Sequence, residues 1–139
     1  MDSLSANKGG RELTPPLPVV IVVDDDAAVR HSLKFSLEMD GFAVWLYADA
    51  RALLDEPNLP TDGCLLIDYY LPDLDGLQLL TRLRSRGVAL PAFLVTGHPS
   101  LTLRQRVGQA GIRLVEKPLL DDGLSDMIRD SLDEDRGGK

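Results

Sequence analysis

Short apolar runs alternate along the chain with segments in which apolar residues recur at helical spacing. The runs are VVIVV (19–23), FAVWLY (42–47), CLLI (64–67), AFLV (92–95) and IRLV (112–115). Each run has the length that is typical of a buried strand. Between the runs, apolar residues recur at the spacing of one face of a helix, as Val29, Leu33 and Leu37 do after the first run. The pattern predicts five strands that alternate with five helices.

Capping residues mark the ends of several predicted helices. Asp49 is a candidate N-cap for a short second helix. Gly111 is placed to close a helix over about residues 100–110, and the last helix is predicted over about residues 120–132.

The alternation of strands and helices indicates a parallel sheet with helices on both faces. The predicted fold class is therefore α/β, a doubly wound sheet of five parallel strands flanked by five helices. The domain is predicted to span residues 18–132. Residues 1–17 and 133–139 lack apolar periodicity, and we expect both segments to be flexible tails.

The composition excludes several classes of protein. With 139 residues, of which 44% are hydrophobic and 27% charged, the chain is neither disordered nor collagen-like and has the size of one domain. Its apolar runs are far shorter than the roughly 18 residues of a membrane span. The first residues of the sequence lack the apolar stretch of a secretory signal, and the single cysteine, Cys64, cannot form an internal disulfide. We expect a cytoplasmic protein without membrane contact, in which Cys64 is a small buried residue of a strand.

The charge is negative overall but unevenly distributed. Fifteen Lys and Arg residues against 22 Asp and Glu residues give a net charge of -7, which disfavours direct binding to DNA. Residues 77–115, however, contain six arginines and no acid, whereas residues 121–139 contain seven acids and three bases. These segments are either two solvated helix faces of opposite sign or a dedicated binding surface.

Polar residues follow four of the predicted strands, at the edge of the sheet where open α/β proteins bind their ligands. Three acids follow the first strand, one acid the third, a hydroxyl the fourth and an ammonium the fifth. These residues are Asp24, Asp25, Asp26, Asp68, Thr96 and Lys117. For any single acid, the alternative is a purely structural role as a helix cap. Asp26, for example, is placed to cap a helix that begins at Ala27.

As a set, these residues indicate phosphoryl chemistry. Crowded carboxylates are stabilised by a cation, and oxygen ligands suit Mg²⁺. A carboxylate can attack phosphorus to form an acyl phosphate when a metal offsets the repulsion between the two anions. Asp68 is the candidate nucleophile, while Thr96 and Lys117 are placed to receive the remaining phosphoryl oxygens.

The strings VVDDDAAVR, IDYYLPDLDG, VTG and EKP, in this order, resemble the receiver domain of CheY-like response regulators. The resemblance covers about residues 18–132 and implies a flavodoxin-like fold with strand order 2-1-3-4-5. It further implies a phosphoacceptor in a two-component phosphorelay from histidine to aspartate. Such a domain catalyses only its own phosphorylation and dephosphorylation, so we do not expect an enzyme.

The resemblance also assigns roles to single residues. Asp68 becomes the phosphoacceptor, and Mg²⁺ is held by Asp25 directly, by Asp24 through water, by Asp68 and by the backbone carbonyl of Tyr70. Thr96 becomes the switch hydroxyl. Lys117 becomes the phosphoryl-binding lysine.

Three features around the site depart from or vary the family pattern. Leu114 stands where the family usually has an aromatic residue, and the stretch from Thr96 to Lys117 is one residue short. Tyr70 and His98 are large residues at the mouth of the site, where an attacking water would pass. In many family members the bond before the proline that follows the lysine, here Pro118, is cis.

The resemblance implies partners as well. The upstream partner is a histidine kinase or a histidine phosphotransfer protein. Only about seven residues follow the last predicted helix, so we expect a single-domain regulator without a DNA-binding output domain. Output then runs through protein contacts of residues 97–113 and the last helix, either with another protein or with a second copy in a homodimer promoted by phosphorylation. The alternative is that the domain drains phosphoryl groups from a kinase as a sink or relay.

Two other functions fit parts of the sequence. In a haloacid dehalogenase-like phosphatase, Asp24 and Asp26 would form the D-x-D pattern, with Thr96, Lys117 and the pair Asp121 and Asp122 following in order. That interpretation leaves Asp68 unexplained, and the chain is short for it. The second alternative is a pseudo-receiver, a binding module that is never phosphorylated, which the complete acid set argues against.

Overall fold

The structure is a computed structural model that describes residues 17–117, 119 and 122–137. Within these described residues, five strands alternate with five helices, as the apolar pattern predicts. The strands are β1 (Val19–Val23), β2 (Ala43–Tyr47), β3 (Gly63–Asp68), β4 (Ala92–Thr96) and β5 (Arg113–Glu116). The helices are α1 (Ala27–Met39), α2 (Ala50–Leu54), α3 (Gly76–Ser85), α4 (Leu101–Gln109) and α5 (Asp122–Gly137).

The strands form one parallel sheet in the order β2-β1-β3-β4-β5. This confirms the doubly wound α/β class and the strand order 2-1-3-4-5. The central pair has Val23 opposite Ile67, so that the residues following β1 meet the end of β3. All carboxyl ends of parallel strands lie at one edge of the sheet, which is where this fold binds ligands.

Alternate residues of the strands pack on opposite faces of the sheet. Ile21 and Leu65 belong to a core shared with α2, α3 and α4, whereas Val22 and Leu66 belong to a core shared with α1 and α5. A strand that is buried on both faces reads as an unbroken apolar run, which explains the sequence pattern. Cys64 has no exposed surface, and its burial raises the pKa of the thiol to about 12. The expectation of a small buried residue at that position is confirmed.

Side-chain caps begin the helices near the site. Asp26 accepts hydrogen bonds from the backbone N–H groups of Ala28 at 2.9 Å and Val29 at 3.3 Å, so the capping interpretation holds for this acid. Asp49 caps α2 as predicted, with the Ala52 N–H donating to it at 2.8 Å. Each cap satisfies N–H groups that have no partner within the helix.

Helix α5 extends to Gly137, beyond the end at Leu132 that the apolar spacing predicts. The predicted tail is therefore helical over residues 133–137. The physical reason is that a helix continues through residues exposed to water, such as Asp133 and Glu134, after its apolar stripe has ended. The tail predicted at residues 1–17 and the peptide bond before Pro118 lie outside the described residues, apart from Leu17.

Candidate functional site

The carboxylates of Asp24 and Asp68 lie side by side at the carboxyl edge of the sheet. Asp24 follows β1 and Asp68 ends β3, and both are buried, with 3% and 6% of their surface exposed. Asp25 is exposed next to them. One oxygen atom from each of the three carboxylates lies within 4.8 Å of the other two. The structure thus brings together the three acids that the sequence analysis assigned to a metal site.

Lys117 follows β5 and reaches this cluster across the sheet. Its Nζ atom lies 3.2 Å from Oδ2 of Asp24 and 3.3 Å from Oδ2 of Asp68. Thr96 pairs with Glu116 in the β4–β5 register, and the Lys117 N–H donates to the Thr96 carbonyl at 2.9 Å. Although the stretch from Thr96 to Lys117 is one residue shorter than the family pattern, Lys117 therefore still reaches the acids.

Thr96 is completely buried at the end of β4. Its hydroxyl oxygen accepts a hydrogen bond of 3.2 Å from the backbone N–H of His98, in the loop that leads into α4. The strand register sets Val95 opposite Asp68, so Thr96 lies one residue beyond the acceptor position. The hydroxyl is thus held by its own loop.

The loop after β3 contacts the nucleophile candidate directly. The backbone N–H of Tyr70 donates to Oδ1 of Asp68 at 3.4 Å, and the Tyr70 side chain is 57% exposed. Its neighbour Tyr69, which the sequence left without a role, is buried, and its hydroxyl accepts a hydrogen bond of 3.1 Å from Arg106 of α4. The strand end that carries Asp68 is thereby linked to α4.

Arg30 is a further residue at the site that sequence reasoning missed. Its guanidinium group donates from α1 to the backbone carbonyl of Asp24 at 2.7 Å and so fixes the turn after β1. Arg30 ends the string VVDDDAAVR, but nothing in the spacing indicates that it folds back onto Asp24.

The electrostatics of the cluster reflect crowded acids around one ammonium. Burial, followed by the charge of Asp24, raises the pKa of Asp68, and the opposing effects of Lys117 and the Tyr70 N–H are smaller. Burial alone would lower the pKa of Lys117, but the charges of Asp68 and Asp24 outweigh it, so that this pKa is raised. Lys117 therefore stays charged, and the site retains an excess of negative charge.

The acids fit a bound Mg²⁺ ion. Two oxygens on opposite sides of Mg²⁺ lie about 4.2 Å apart, given metal–oxygen distances of about 2.1 Å. The observed separations, within 4.8 Å, are close to this span, so small side-chain rotations suffice to bring the oxygens of Asp25 and Asp68 into one coordination shell, with Asp24 near enough to accept from a metal-bound water. A divalent cation would also cancel the excess negative charge.

The model of the response regulator receiver domain family matches residues 20–129. The chain belongs to this family. Receiver domains bind Mg²⁺ through acidic residues and take part in two-component signalling. The phosphatase interpretation loses its support, because Asp26, which it places in the site, is the exposed cap of α1.

Several known proteins resemble this receiver domain. The transcriptional regulatory protein FixJ of Bradyrhizobium diazoefficiens is 39% identical over 114 residues, covering 81% of this chain and 56% of that protein. A CheY-like receiver domain protein from Methanospirillum hungatei JF-1 has a TM-score of 0.79 at 30% identity, covering 89% of this chain and 100% of that one. Full-length FixJ from B. japonicum has a TM-score of 0.76 at 38% identity, covering 84% of this chain and 58% of that one. The chain spans about half the length of the first curated relatives that it matches.

Loss of the Asp68 charge is expected to stabilise the metal-free fold. Because folding raises the pKa of Asp68, its protonated form contributes stability that is complete below the unfolded value of 3.8 and is lost as pH rises through the folded value. At pH 7 with EDTA, Asp68→Asn should melt about 4 °C higher, the shift that ~1 kcal/mol produces in a domain of this size.

The control for this measurement is Asp26→Asn, which removes an exposed charge but keeps an effective cap and should leave the melting temperature nearly unchanged. Below roughly pH 3, where aspartate is largely neutral in both states, the advantage of Asp68→Asn should shrink. A lower melting temperature for Asp68→Asn at pH 7 would show that the ion pair with Lys117 outweighs burial.

Proposed function

We propose that Asp68 accepts a phosphoryl group from the phosphohistidine of a histidine kinase or a histidine phosphotransfer protein. The observation that carries the proposal is the buried Asp68 carboxylate, 3.3 Å from the Lys117 ammonium and clustered with Asp24 and Asp25. The proposed reaction changes only the chain itself, through its own phosphorylation and dephosphorylation. We place it in the cytoplasm, where the ATP that feeds such kinases is found.

In the proposed transfer, an Asp68 oxygen attacks phosphorus while the bond from phosphorus to the donor imidazole nitrogen breaks. The electron pair of that bond remains on the nitrogen. Lys117, which already contacts Asp68, binds one phosphoryl oxygen, and the Thr96 hydroxyl donates to another after leaving its present geometry. When bound, Mg²⁺ supplies positive charge that offsets the repulsion between carboxylate and phosphoryl group. Asp25, Asp68 and the Tyr70 carbonyl would hold it directly, and Asp24 through water.

Incubation with acetyl phosphate tests this function. The intact protein should gain the mass of one phosphoryl group when Mg²⁺ is present and none when EDTA replaces it. If phosphoramidate and acetyl phosphate both leave the mass unchanged with Mg²⁺ in excess, the chain is a pseudo-receiver.

The phosphoryl group is expected to be lost slowly, because water must approach the phosphorus in line with the breaking bond. The exposed side chains of Tyr70 and His98 lie in the two loops that frame this approach. Replacing both with alanine should speed dephosphorylation by about tenfold, measured as the decay of the phosphorylated mass after the donor is removed. The replacement of exposed Phe35 on α1 is the matched control. An unchanged or slower decay in the double variant would remove steric shielding from the explanation.

The proposed output surface comprises residues 97–113 and helix α5. It joins Arg104, Arg106 and Arg113 to a helix with exposed Asp126 and Asp130, and so offers both signs of charge to another protein or to a second copy. Leu114 lies opposite Leu94 and is half-buried beneath this surface. Because this side chain is smaller than the aromatic ring usual in the family, we expect movements of the backbone and of α4 to carry the signal.

Amide NMR spectra with and without beryllofluoride, a phosphoryl mimic, should therefore show shifts across residues 97–113 in addition to those around Asp25 and Asp68. Shifts confined to the loops around the two acids would exclude residues 97–113 as the output surface.

A further inference from the structure

The loop between β3 and α3 carries the backbone that surrounds Asp68. It is closed at its base, where the Gly76 N–H donates to the Tyr69 carbonyl at 2.7 Å and Tyr70 pairs with Asp75. A β-carbon at Gly76 would lie 2.7 Å from the Asp68 carbonyl oxygen, so only glycine permits this close approach. The base of the loop is thus fixed by contacts within the loop.

The tip of the loop is fixed by a different part of the chain. Asp73 reaches α2, where its carboxylate accepts hydrogen bonds from the backbone N–H groups of Ala50 at 3.1 Å and Arg51 at 2.9 Å. The same carboxylate accepts from the Leu74 N–H at 3.0 Å. One exposed side chain therefore joins the tip of the acceptor loop to the first turn of a helix more than 20 residues away in sequence.

These hydrogen bonds are strong for an exposed group. The first N–H groups of a helix lack partners within it, and a charged acceptor roughly doubles the strength of such bonds. Desolvation by itself would raise the pKa of Asp73, but the N–H groups of Arg51, Ala50 and Leu74 outweigh it and lower the pKa. The carboxylate is therefore ionised at neutral pH, the form that makes these bonds.

Helix α2 also has a local cap, which does not reach the loop. Asp49 accepts from the Ala52 N–H, one residue beyond the two N–H groups that Asp73 binds. The two aspartates thus share the same five-residue helix. Asp49 satisfies a group of α2 alone, whereas Asp73 connects α2 to the loop that contacts Asp68.

We propose that Asp73 is a positioning residue for phosphorylation: by binding the tip of the loop to α2, it holds Tyr70 in place against Asp68. Tyr70 is three residues from Asp73, and its N–H already contacts the Asp68 carboxylate at 3.4 Å. The proposal rests on the proposed function, in which the Tyr70 carbonyl also binds Mg²⁺. Residues that orient metal ligands typically change metal affinity by 10–100-fold when they are replaced.

The experiment compares Asp73→Ala with Asp49→Ala, a control that removes a cap from the same helix but leaves the loop contact. Mg²⁺ affinity is measured by calorimetry, the phosphorylation rate with acetyl phosphate by intact mass, and stability by melting temperature. Asp73→Ala should weaken Mg²⁺ binding by about tenfold and slow phosphorylation at subsaturating Mg²⁺, with recovery when Mg²⁺ is saturating. Asp49→Ala should keep Mg²⁺ affinity within about twofold while still lowering the melting temperature, because it removes a cap from α2. Asp73→Asn, whose amide oxygen still accepts hydrogen bonds, should recover part of the affinity.

Equal loss of Mg²⁺ affinity in the two alanine variants would overturn the proposal, because α2 stability would then explain both. Amide hydrogen exchange over residues 69–75 in metal-free protein separates this proposal from the proposed function. Exchange there should be faster in Asp73→Ala than in Asp49→Ala even if the wild-type chain proves unable to accept a phosphoryl group. Identical exchange in the two variants would show that Asp73 does not hold the loop.

Discussion

Replacement of Asp68 by asparagine is expected to abolish phosphorylation of the chain by acetyl phosphate. The amide has nearly the same volume and can still accept the hydrogen bond from Lys117, but its neutral oxygen is a far weaker nucleophile than a carboxylate. We expect the rate of mass gain in the presence of Mg²⁺ to fall by at least ~10³-fold, a loss of about 4 kcal/mol in transition-state stabilisation. Reduction of the acyl phosphate with borohydride, followed by peptide mass analysis, should place the modification on Asp68 in the wild-type chain.

Asp26→Asn is the matched control for this experiment. It removes one of the three consecutive acids that follow β1, yet in the structure the Asp26 side chain caps α1. It should therefore phosphorylate within about twofold of the wild-type rate. If Asp68→Asn gains phosphate as fast as wild type, another carboxylate is the nucleophile. Loss of labelling in Asp24→Asn alone would then favour the D-x-D arrangement.

The apolar pattern was sufficient to predict the strands and the residues that follow them. An apolar run that is buried on both faces ends at the edge of the sheet, so Asp24, Asp68 and Thr96 stood out as the first polar residues after their runs, although all three are buried in the structure. The pattern does not determine which strands are neighbours, because every strand of a doubly wound sheet has the same apolar character. Family resemblance supplied the order, and the pairing of β1 with β3 then set Asp24 beside Asp68.

Contacts that depend on loop conformation were not predictable from the same pattern. The bond from Arg106 to Tyr69 joins α4 to the end of β3, and the bonds from α2 to Asp73 join segments more than 20 residues apart. Neither pair has a periodicity or a spacing that marks it, since each depends on where two surface segments meet. The end of α5 was missed for a simpler reason: polar residues in a solvated helix and in a tail have the same sequence character.

Loss of the Asp25 carboxylate is expected to abolish Mg²⁺ binding at concentrations that saturate the wild-type site. The other two acids are already engaged: Asp24 accepts from the Asp26 N–H at 2.9 Å and pairs with Lys117, and Asp68 pairs with Lys117 and accepts from the Tyr70 N–H. Asp25 is the exposed member of the cluster and can approach a cation from the solvent side. Its removal also reduces the formal charge of three acids and one lysine from -2 to -1.

Thermal melting with and without Mg²⁺ measures this loss, because a ligand that binds only the folded state stabilises it in proportion to its occupancy. At Mg²⁺ concentrations about 100 times the wild-type dissociation constant, wild type should gain about 2.7 kcal/mol. Asp25→Ala should gain less than ~0.1 kcal/mol at the same concentration, which corresponds to a loss of affinity of at least about 500-fold and a site that is mostly empty. Without Mg²⁺ the variant should be as stable as wild type or slightly more stable, since an exposed charge has left a repulsive cluster.

Asp26→Asn again serves as the control and should keep the full gain. The reverse result, with Mg²⁺ stabilisation kept in Asp25→Ala and lost in Asp26→Asn, would place the metal on Asp26 and shift the register of the acidic pair by one residue.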